Sequence, residues 1–383
     1  MNEMRKQKVA ALPQHSAERL CLFGDRRNEI AREAAPCDLL TAHRSLLTFF
    51  FLLLTAHCSL LTASAASWNR QSSGTMAWLH SVYFLDQNRG WVAGSNGTLL
   101  RTIDGGATWK KLSTLTRDTL HDVYFADEKI GWLVAERDLY KLKNDEALSY
   151  LLTTEDGGLT WRKVSLNGAD ANARLLRIIF ADRANGWVFG ETGVAFLTRD
   201  GGARWTRQTL PTKHLLLGGT FVDQAHLWLV GAGATIAQTN DGGITWQIGS
   251  VRDDTKPRFN SASFVGDKLG WAVGAAGRIF KTIDGGRNWS PQKSNIDSDL
   301  LDVKFIDANE GWIAGNQGLL LHTSDGGAHW TVQSNASSHA LQRLFFIDRN
   351  HGWAVGFGGT ILRYGDSEAP ILKSQVRRAD ERQ

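Results

Sequence analysis

The phrase Thr282-Ile-Asp-Gly-Gly-Arg-Asn-Trp289 occurs six times, with small changes, in this chain of 383 residues. All copies fit the pattern Thr-x-Asp-Gly-Gly-x-x-Trp. They begin, at near-even intervals, at Thr102, Thr154, Thr198, Thr239, Thr282 and Thr323. A phrase that returns about every 40 residues indicates an array of equivalent structural units, none of which can bury its own apolar faces alone.

A second phrase, Phe-x-Asp followed by Gly-Trp, keeps the same interval and marks seven units. The fifth copy has one extra residue, and the fourth has Leu227-Trp228 in place of Gly-Trp. Each unit contains four short segments that are rich in β-branched and aromatic residues and are separated by Gly, Asn or Asp, a pattern typical of strands. Four antiparallel strands in about 40 to 45 residues predict one blade of a β-propeller.

The seventh unit ends at Tyr364 without an Asp-Gly-Gly phrase, so its fourth strand is missing. The segment Trp68-Asn-Arg-Gln71 precedes the first unit and matches Trp205-Thr-Arg-Gln208, which is a predicted fourth strand. We therefore predict an all-β, seven-bladed β-propeller over residues 66–366, closed by an N-terminal strand that completes the last blade. Such closure leaves no blade edge open to unwanted pairing.

The Asp-Gly-Gly phrase is predicted to be a structural turn between the third and fourth strands. Its aspartate is expected to accept backbone N–H groups two residues further on, and its glycines allow positive φ. The phrase lacks the alternating oxygen ligands and the final Glu of a calcium loop. No metal and no cofactor is predicted. The structural aspartates are Asp104, Asp156, Asp200, Asp241, Asp284 and Asp325.

Residues 1–65 are interpreted as an upstream extension followed by a signal peptide. Ser45–Leu54 is an apolar run, and Ala63-Ser-Ala65 fits a signal cleavage site. The alternative is a retained membrane anchor, but the run is short for a membrane span of about 20 residues. A lipid on Cys58 is disfavoured because the bulky His57 precedes it. The sequence thus predicts export to the periplasm or the extracellular space, and a polar, disordered tail over residues 367–383.

The overall charge is nearly balanced, with 43 Lys and Arg against 39 Asp and Glu. This balance argues against a nucleic-acid partner. All three cysteines, Cys21, Cys37 and Cys58, precede the ring, which therefore has no disulfide. The protein is expected to be a monomer.

Connections in a blade alternate between two faces of the disc. We use the term variable face for the face that is formed by the turns between the second and third strands and by the connections between blades. Its longest connection lies in unit two, from Glu136 to Leu151, and is expected to expose Tyr140 and Tyr150. The alternative is a tolerated surface insertion, because loops accept extra length at low cost.

The start of the innermost strands carries most of the remaining chemistry. Arg177 and Arg343 hold the same position, three residues before the Phe of their unit, and so do Asp122 and Asp302. One interpretation is a cationic patch that binds an acidic or carboxylate-bearing protein partner. The other is a solvated channel mouth in which the two aspartates neutralise the arginines. The candidate partner-binding residues are Arg174, Arg177, Arg258, Arg343, His121, Asp122 and Tyr140.

No catalytic motif is evident in the sequence. We find no Ser/His/Asp arrangement, no histidines at metal-ligand spacing and no phosphate-binding loop, so a non-enzymatic protein is predicted. The alternative is a glycan-binding module or a glycosidase, because sialidases also carry Asp phrases. Sialidase rings, however, have six blades, and seven units are counted here.

The combined pattern resembles the photosystem II assembly/stability factor family, whose repeats are related to those of Asp-box (BNR) proteins. Unit six has the full pattern, with Phe305-Ile-Asp307, Gly311-Trp-Ile-Ala-Gly315, Gly318 and Thr323 to Trp330. The resemblance covers residues 68–364. It implies a non-enzymatic, secreted or lumenal propeller that binds a membrane-protein subunit through a basic face. In a photosynthetic host that subunit belongs to the photosystem II reaction centre, and Arg177 and Arg343 are the nearest counterparts of the basic face.

Overall fold

The computed structural model describes residues 66–365, except 143–145, 165, 167–172 and 336. The predicted leader and the predicted tail lie outside the described residues. Within them, the strands form seven sheets of antiparallel neighbours, and the first strands of adjacent sheets contact each other around a central channel. The predicted all-β, seven-bladed propeller is confirmed.

Each blade runs outward from the channel through four strands, and in blades 1 to 6 the Asp-Gly-Gly turn joins the third strand to the fourth. The strands are Leu79–Phe84, Gly90–Gly94, Thr98–Thr102 and Lys110–Leu112 in blade 1; Thr119–Phe125, Gly131–Glu136, Ser149–Thr154 and Arg162–Val164 in blade 2; Leu175–Phe180, Gly186–Gly190, Ala195–Thr198 and Thr206–Arg207 in blade 3; Leu216–Phe221, Leu227–Gly231, Ile236–Thr239 and Gln247–Ile248 in blade 4; Phe259–Val265, Leu269–Gly274, Ile279–Thr282 and Asn288–Gln292 in blade 5; Leu300–Phe305, Gly311–Gly315, Leu320–Thr323 and Thr331–Val332 in blade 6; and Leu341–Asp348, His351–Gly356, Thr360–Gly365 and Ser67–Gln71 in blade 7.

Short additions complete the blades. A fifth strand, Ser250–Val251, pairs in parallel with the outer strand of blade 5. Short 3-10 turns occupy Leu139–Lys141, Glu191–Gly193, Ala275–Gly277, Asn316–Gly318 and Phe357–Gly359, all on the variable face. No helix among the described residues has the length and apolarity needed to cross a membrane.

The ring closes as predicted. Ser67–Gln71 pairs antiparallel with Thr360–Gly365, and Trp68 lies opposite Tyr364. The Trp68 ring is buried and lies 5.5 Å from the ring of Trp312 in blade 6. The N-terminal strand is therefore both hydrogen-bonded to blade 7 and packed against its neighbour.

Neighbouring blades are joined by stacked aromatic rings. Trp271 in the second strand of blade 5 stacks on Phe305 in the first strand of blade 6, with ring centroids 3.4 Å apart and planes 6° apart. Trp353 stacks on Phe84 in the same way and so joins blade 7 to blade 1. Such pairs add about 0.5–1.5 kcal/mol each beyond the burial of their area. The repeated Trp and Phe are thus the contacts that hold the ring together.

The six Asp phrases form one turn with a defined hydrogen-bond network. In blade 1 the Thr102 hydroxyl donates to Asp104 Oδ1 and accepts from the Gly106 N–H. Asp104 Oδ1 also accepts from the Thr108 N–H, which is four residues further on rather than the two that the sequence predicts. The reach is longer because the Thr hydroxyl satisfies the glycine N–H that would otherwise need the carboxylate. Hydrogen bonds from Thr160 and Thr154 lower the pKa of the equivalent Asp156 to about 2.

Candidate functional site

One ionic network lies on the variable face where blades 2 and 3 meet. Glu136, at the end of a second strand, is 2.5 Å from His121 Nε2 and 2.9 Å from Arg174 Nε. Arg174 Nη1 also pairs with Glu191 at 3.1 Å. Burial would raise the pKa of Glu136, but the hydrogen bond and charge of His121 and the charge of Arg174 hold it below its usual value. Two predicted binding residues, His121 and Arg174, therefore share one carboxylate.

An aromatic cluster that the sequence did not identify adjoins this network. Trp78 is 42% exposed, and its ring lies 5.7 Å from Phe357 and 5.1 Å from His80. His80 in turn lies 5.4 Å from His121. Burial, followed by the charges of His121 and Arg177, lowers the pKa of His80 to about 3, so this imidazole is neutral at pH 7.

Sequence signals for this cluster were present. Trp78 is the one tryptophan that belongs to none of the repeated phrases and not to the closing strand. Phe357 is the first residue of the 3-10 turn between the second and third strands of blade 7. The first residues of the other four 3-10 turns are not aromatic; they are Leu139, Glu191, Ala275 and Asn316.

Deeper in the channel, a serine, an aspartate and an arginine occupy the same strand position in blades 1, 2 and 3. Ser81 Oγ donates to Asp122 Oδ1 at 2.5 Å, and the Ile178 N–H donates to Asp122 Oδ2 at 2.9 Å. Burial raises the pKa of Asp122, although the charge of Arg177 opposes this change. Arg177 Nε donates to the Leu217 carbonyl of blade 4 at 2.8 Å.

The same order returns in blades 5, 6 and 7. Ser261 Oγ donates to Asp302 Oδ1 at 2.5 Å, and the Leu344 N–H donates to Asp302 Oδ2 at 2.8 Å. Arg343 Nη1 lies 3.5 Å from Asp302 Oδ1. Its Nε and Nη2 atoms are buried and have no hydrogen-bond partner among the described residues. We call these two sets the Ser–Asp–Arg triads.

Asp122 is one of the predicted partner-binding residues, but the hydrogen bonds of its carboxylate are all made within the protein. The side chain is buried, and both carboxylate oxygens already accept hydrogen bonds from neighbouring blades. It therefore holds three blades together, as Asp302 does in the other half. The donors are a serine of the preceding blade and a backbone N–H of the following blade. The sequence around Asp122 does not reveal either contact.

The remaining predicted residues are dispersed. Arg258 pairs with Asp299 at 3.0 Å in blades 5 and 6, outside the network of blades 2 and 3. Tyr140 is 99% exposed on the 3-10 turn of blade 2.

The expectation that Tyr150 is exposed is wrong. Its ring is buried beneath Arg137 and Lys163, and its hydroxyl donates to Asp118. Among the described residues, no group of three or more His, Cys, Asp or Glu could hold a metal ion.

Comparison with known proteins identifies the family of the chain. The family model described as "Photosynthesis system II assembly factor YCF48" matches residues 60–118, 109–215, 203–294 and 293–365. The photosystem II assembly lipoprotein Ycf48 of Synechococcus sp. (strain CC9902) is 43% identical over 61 residues, which are 16% of this chain and 18% of that protein. The chain thus matches less than a fifth of that relative's length at this level.

Solved structures share the fold. A structure titled "YCF48 bound to D1 peptide" has a TM-score of 0.65 at 22% identity, covering 80% of this chain and 96% of that one. A GH74 xyloglucanase from Xanthomonas campestris has a TM-score of 0.60 at 14% identity, covering 78% of this chain and 53% of the enzyme. The family model covers most of the sequence and confirms the resemblance seen in the repeats. The chain therefore belongs to the family of the photosynthesis system II assembly factor YCF48.

Proposed function

We propose that this protein is a non-enzymatic assembly factor whose variable face binds a carboxylate-bearing segment of a membrane-protein subunit. In a photosynthetic host, that subunit is a photosystem II reaction-centre protein. Membership of the YCF48 family supports this role, and so does the solved relative that holds a D1 peptide.

The observation that carries the proposal is the unused hydrogen-bonding capacity of Arg343. Its side chain is 13% exposed, and a single aspartate oxygen at 3.5 Å satisfies only one end of the guanidinium. A buried guanidinium with free N–H donors favours a second carboxylate, which it can bind through two parallel hydrogen bonds. Burial raises the pKa of Asp302, and the charges of Lys304 and Arg177 oppose this change.

The exposed aromatic cluster offers the apolar part of such an interface. Trp78 and Phe357 are about half exposed and lie beside the His121–Glu136–Arg174 network. Interfaces of this kind place aromatic and arginine side chains at the centre of the contact, where they contribute most of the affinity. The surface therefore combines an apolar anchor with charged groups that orient a peptide.

Calorimetry with synthetic peptides that tile the D1 sequence tests the proposal. Each peptide is made with its Asp and Glu intact and with both replaced by Asn and Gln. We expect at least one acidic peptide to bind and its neutral version to bind at least about tenfold more weakly. The double variant Arg177→Gln, Arg343→Gln should weaken the acidic peptide by about ten- to a hundredfold. Arg349→Gln, at an exposed arginine on the opposite face of the disc, is the control and should not weaken it.

Equal binding of acidic and neutral peptides, or unchanged affinity of the double variant, would contradict the carboxylate site. In a host without photosystem II, pull-down from membranes replaces the D1 peptides. Wild-type protein should then retain a membrane-protein partner that the Arg177→Glu, Arg343→Glu variant releases.

We also propose that the protein is exported and acts as a monomer. The apolar run Ser45–Leu54 and the following Ala63-Ser-Ala65 support export, and the relative from Synechococcus is named a lipoprotein. N-terminal sequencing of the exported protein tests the cleavage, and a mature chain that keeps residues 1–44 would contradict it.

A glycan-active function is the alternative. Only the similarity of the fold supports it, because the xyloglucanase is 14% identical to this chain.

A further inference from the structure

One groove on the face of the Asp-Gly-Gly turns differs from its counterparts. It lies between blades 2 and 3, has a volume of about 670 Å³ and is lined by residues that include Trp132, Thr153, Glu155 and Gly201. The variable face and the residues of the proposed function are on the opposite side of the disc. The groove is therefore a separate surface.

The residue opposite the second-strand tryptophan decides how each of these grooves is filled. In blade 5 this cross-strand partner of Trp271 is Lys281. Lys281 Nζ lies 5.2 Å from the Trp271 ring and donates to the Gly326 carbonyl of the next blade at 2.8 Å. One cation thus covers the indole and bonds the adjacent Asp-Gly-Gly turn.

Two further blades also place a cation there. Arg101 lies opposite Trp91, with its guanidinium 5.6 Å from the ring, and Arg363 lies opposite Trp353. Cation–π contacts of this kind contribute about 0.5–2 kcal/mol, depending on how far they are removed from water. The fold therefore uses this position repeatedly to hold a cation between two blades.

Blade 2 has Thr153 at this position, which is too short to cover Trp132. Trp132 is buried like the other six second-strand tryptophans, with 3% of its surface exposed at the groove, and its Nε1 atom has no hydrogen-bond partner among the described residues. Gly201, the counterpart of Gly326, lines the same groove. Among the other second-strand tryptophans without an Nε1 partner in the described part of the chain, Trp91 and Trp312 have Arg101 and His322 over their rings, whereas Trp187 has Leu197 opposite it.

The groove is lined by charges of both signs, and one carboxylate among them is left unpaired by the residues that the structure describes. Glu155 is exposed and has no ion pair among the described residues, while Asp127 and Glu128 also line the groove and pair with Arg183 and Arg89. Two exposed cations, Lys129 and Arg162, belong to the rim as well.

We propose that this groove binds an arginine or lysine side chain of a partner protein, which takes the place that Lys281 occupies in blade 5. The cation would lie over Trp132 and face Gly201, with Glu155 as its counter-ion. This inference rests on the proposed role in binding a protein, and it adds a second contact of opposite charge on the other face of the disc.

The probe for the test is acetyl-Gly-Arg-Gly-amide, and its uncharged control has citrulline in place of arginine. In protein labelled with ¹⁵N at tryptophan, the Trp132 indole signal is assigned with Trp132→Phe. We expect the arginine peptide to shift this signal in a saturable way at millimolar concentrations, and the citrulline peptide to leave it unchanged. Thr153→Arg, which supplies the missing cation from the chain itself, should abolish the shift, whereas Thr153→Val should keep it.

Glu155→Gln provides a variant at an exposed position, so its fold is not at risk, and it should weaken the peptide by about threefold or more. Arg343→Gln should leave the shift unchanged, which separates this groove from the channel arginines. An unshifted Trp132 signal, an equal response to citrulline, or a full response in Thr153→Arg or Glu155→Gln would overturn the inference, whatever the outcome with D1 peptides.

Discussion

The two halves of the ring carry the same Ser–Asp–Arg order, yet their arginines differ in what they bind. In blades 1–3, Arg177 donates to a backbone carbonyl of blade 4. In blades 5–7, Arg343 faces Asp302, and two of its nitrogen atoms have no hydrogen-bond partner within residues 66–365 as far as these are described. The same residues in the same register thus give one arginine a structural contact and leave the other available to a ligand.

The difference originates in the blade that follows each arginine. Blade 4 has Gly218 at the position that the triads occupy in other blades, and Arg177 extends past it to the Leu217 carbonyl. Blade 1 follows Arg343 and has Ser81 there, which is already committed to Asp122. A glycine in one neighbour therefore decides how the arginine of the preceding blade is used.

The largest effect is expected from removing the aspartates. Asp302→Ala leaves Arg343 buried without its counter-ion, and we expect a loss of about 3–5 kcal/mol in the free energy of unfolding. Asp122→Ala should cost less, because Arg177 keeps its carbonyl acceptor. Urea unfolding of both variants measures the difference, and a larger loss for Asp122→Ala would show that the two halves are not distinguished in this way.

The next effect concerns binding. Arg343→Gln alone should weaken an acidic D1 peptide by about tenfold or more, because it removes the free guanidinium donors. Arg177→Gln should have a smaller effect, since its Nε is already bonded within the protein. Calorimetry on the two single variants makes the comparison, and a stronger effect of Arg177→Gln would reverse the assignment of roles.

A smaller and equal effect is expected at the serines. Ser81→Ala and Ser261→Ala each remove one hydrogen bond to a buried carboxylate, and each should lower the free energy of unfolding by about 1–2 kcal/mol. Both aspartates retain their backbone donors in these variants. Values that differ clearly between the two serines would indicate that the triads are less alike than their geometry suggests.

The last effect concerns the pH dependence of stability, which should differ between the two halves. His80 precedes the serine of the first triad, and Asn260, which does not titrate, precedes that of the second. Because the pKa of His80 is about 3 in the folded protein and 6.5 as a model value, the unfolded chain binds a proton between these pH values and the folded protein does not. Stability should therefore fall as the pH drops from about 6.5 toward 3, by at most about 1.4 kcal/mol per pH unit for this one proton.

His80→Asn tests the pH effect directly. Unfolding curves measured at several pH values between 4 and 7 should show a flatter dependence for this variant than for the wild type. An identical slope in both proteins would place the proton uptake elsewhere.

The sequence predicted the ring well because its determinants are local and repeated. Each Trp and Phe recurs at one interval, and the match between Trp68 and Trp205 was enough to place the closing strand. The site was harder to predict, because its properties depend on neighbours in other blades. The repeat places Ser81 beside Asp122, but it does not show that the Ile178 N–H also reaches this carboxylate and that the side chain is buried. The contacts of Tyr150 with Arg137 and Lys163 lie within the insertion of blade 2, which no other unit repeats.

The pairing of Ser67–Gln71 with Thr360–Gly365 also governs the order in which the molecule can be completed. The segment that leaves the ribosome first among the described residues hydrogen-bonds to the one that leaves last. Trp68 therefore has no cross-strand neighbour until Tyr364 has been synthesised, and blade 7 cannot mature before the rest of the disc. The last step in forming the ring therefore depends on pairing between the first and the last strands of the described chain.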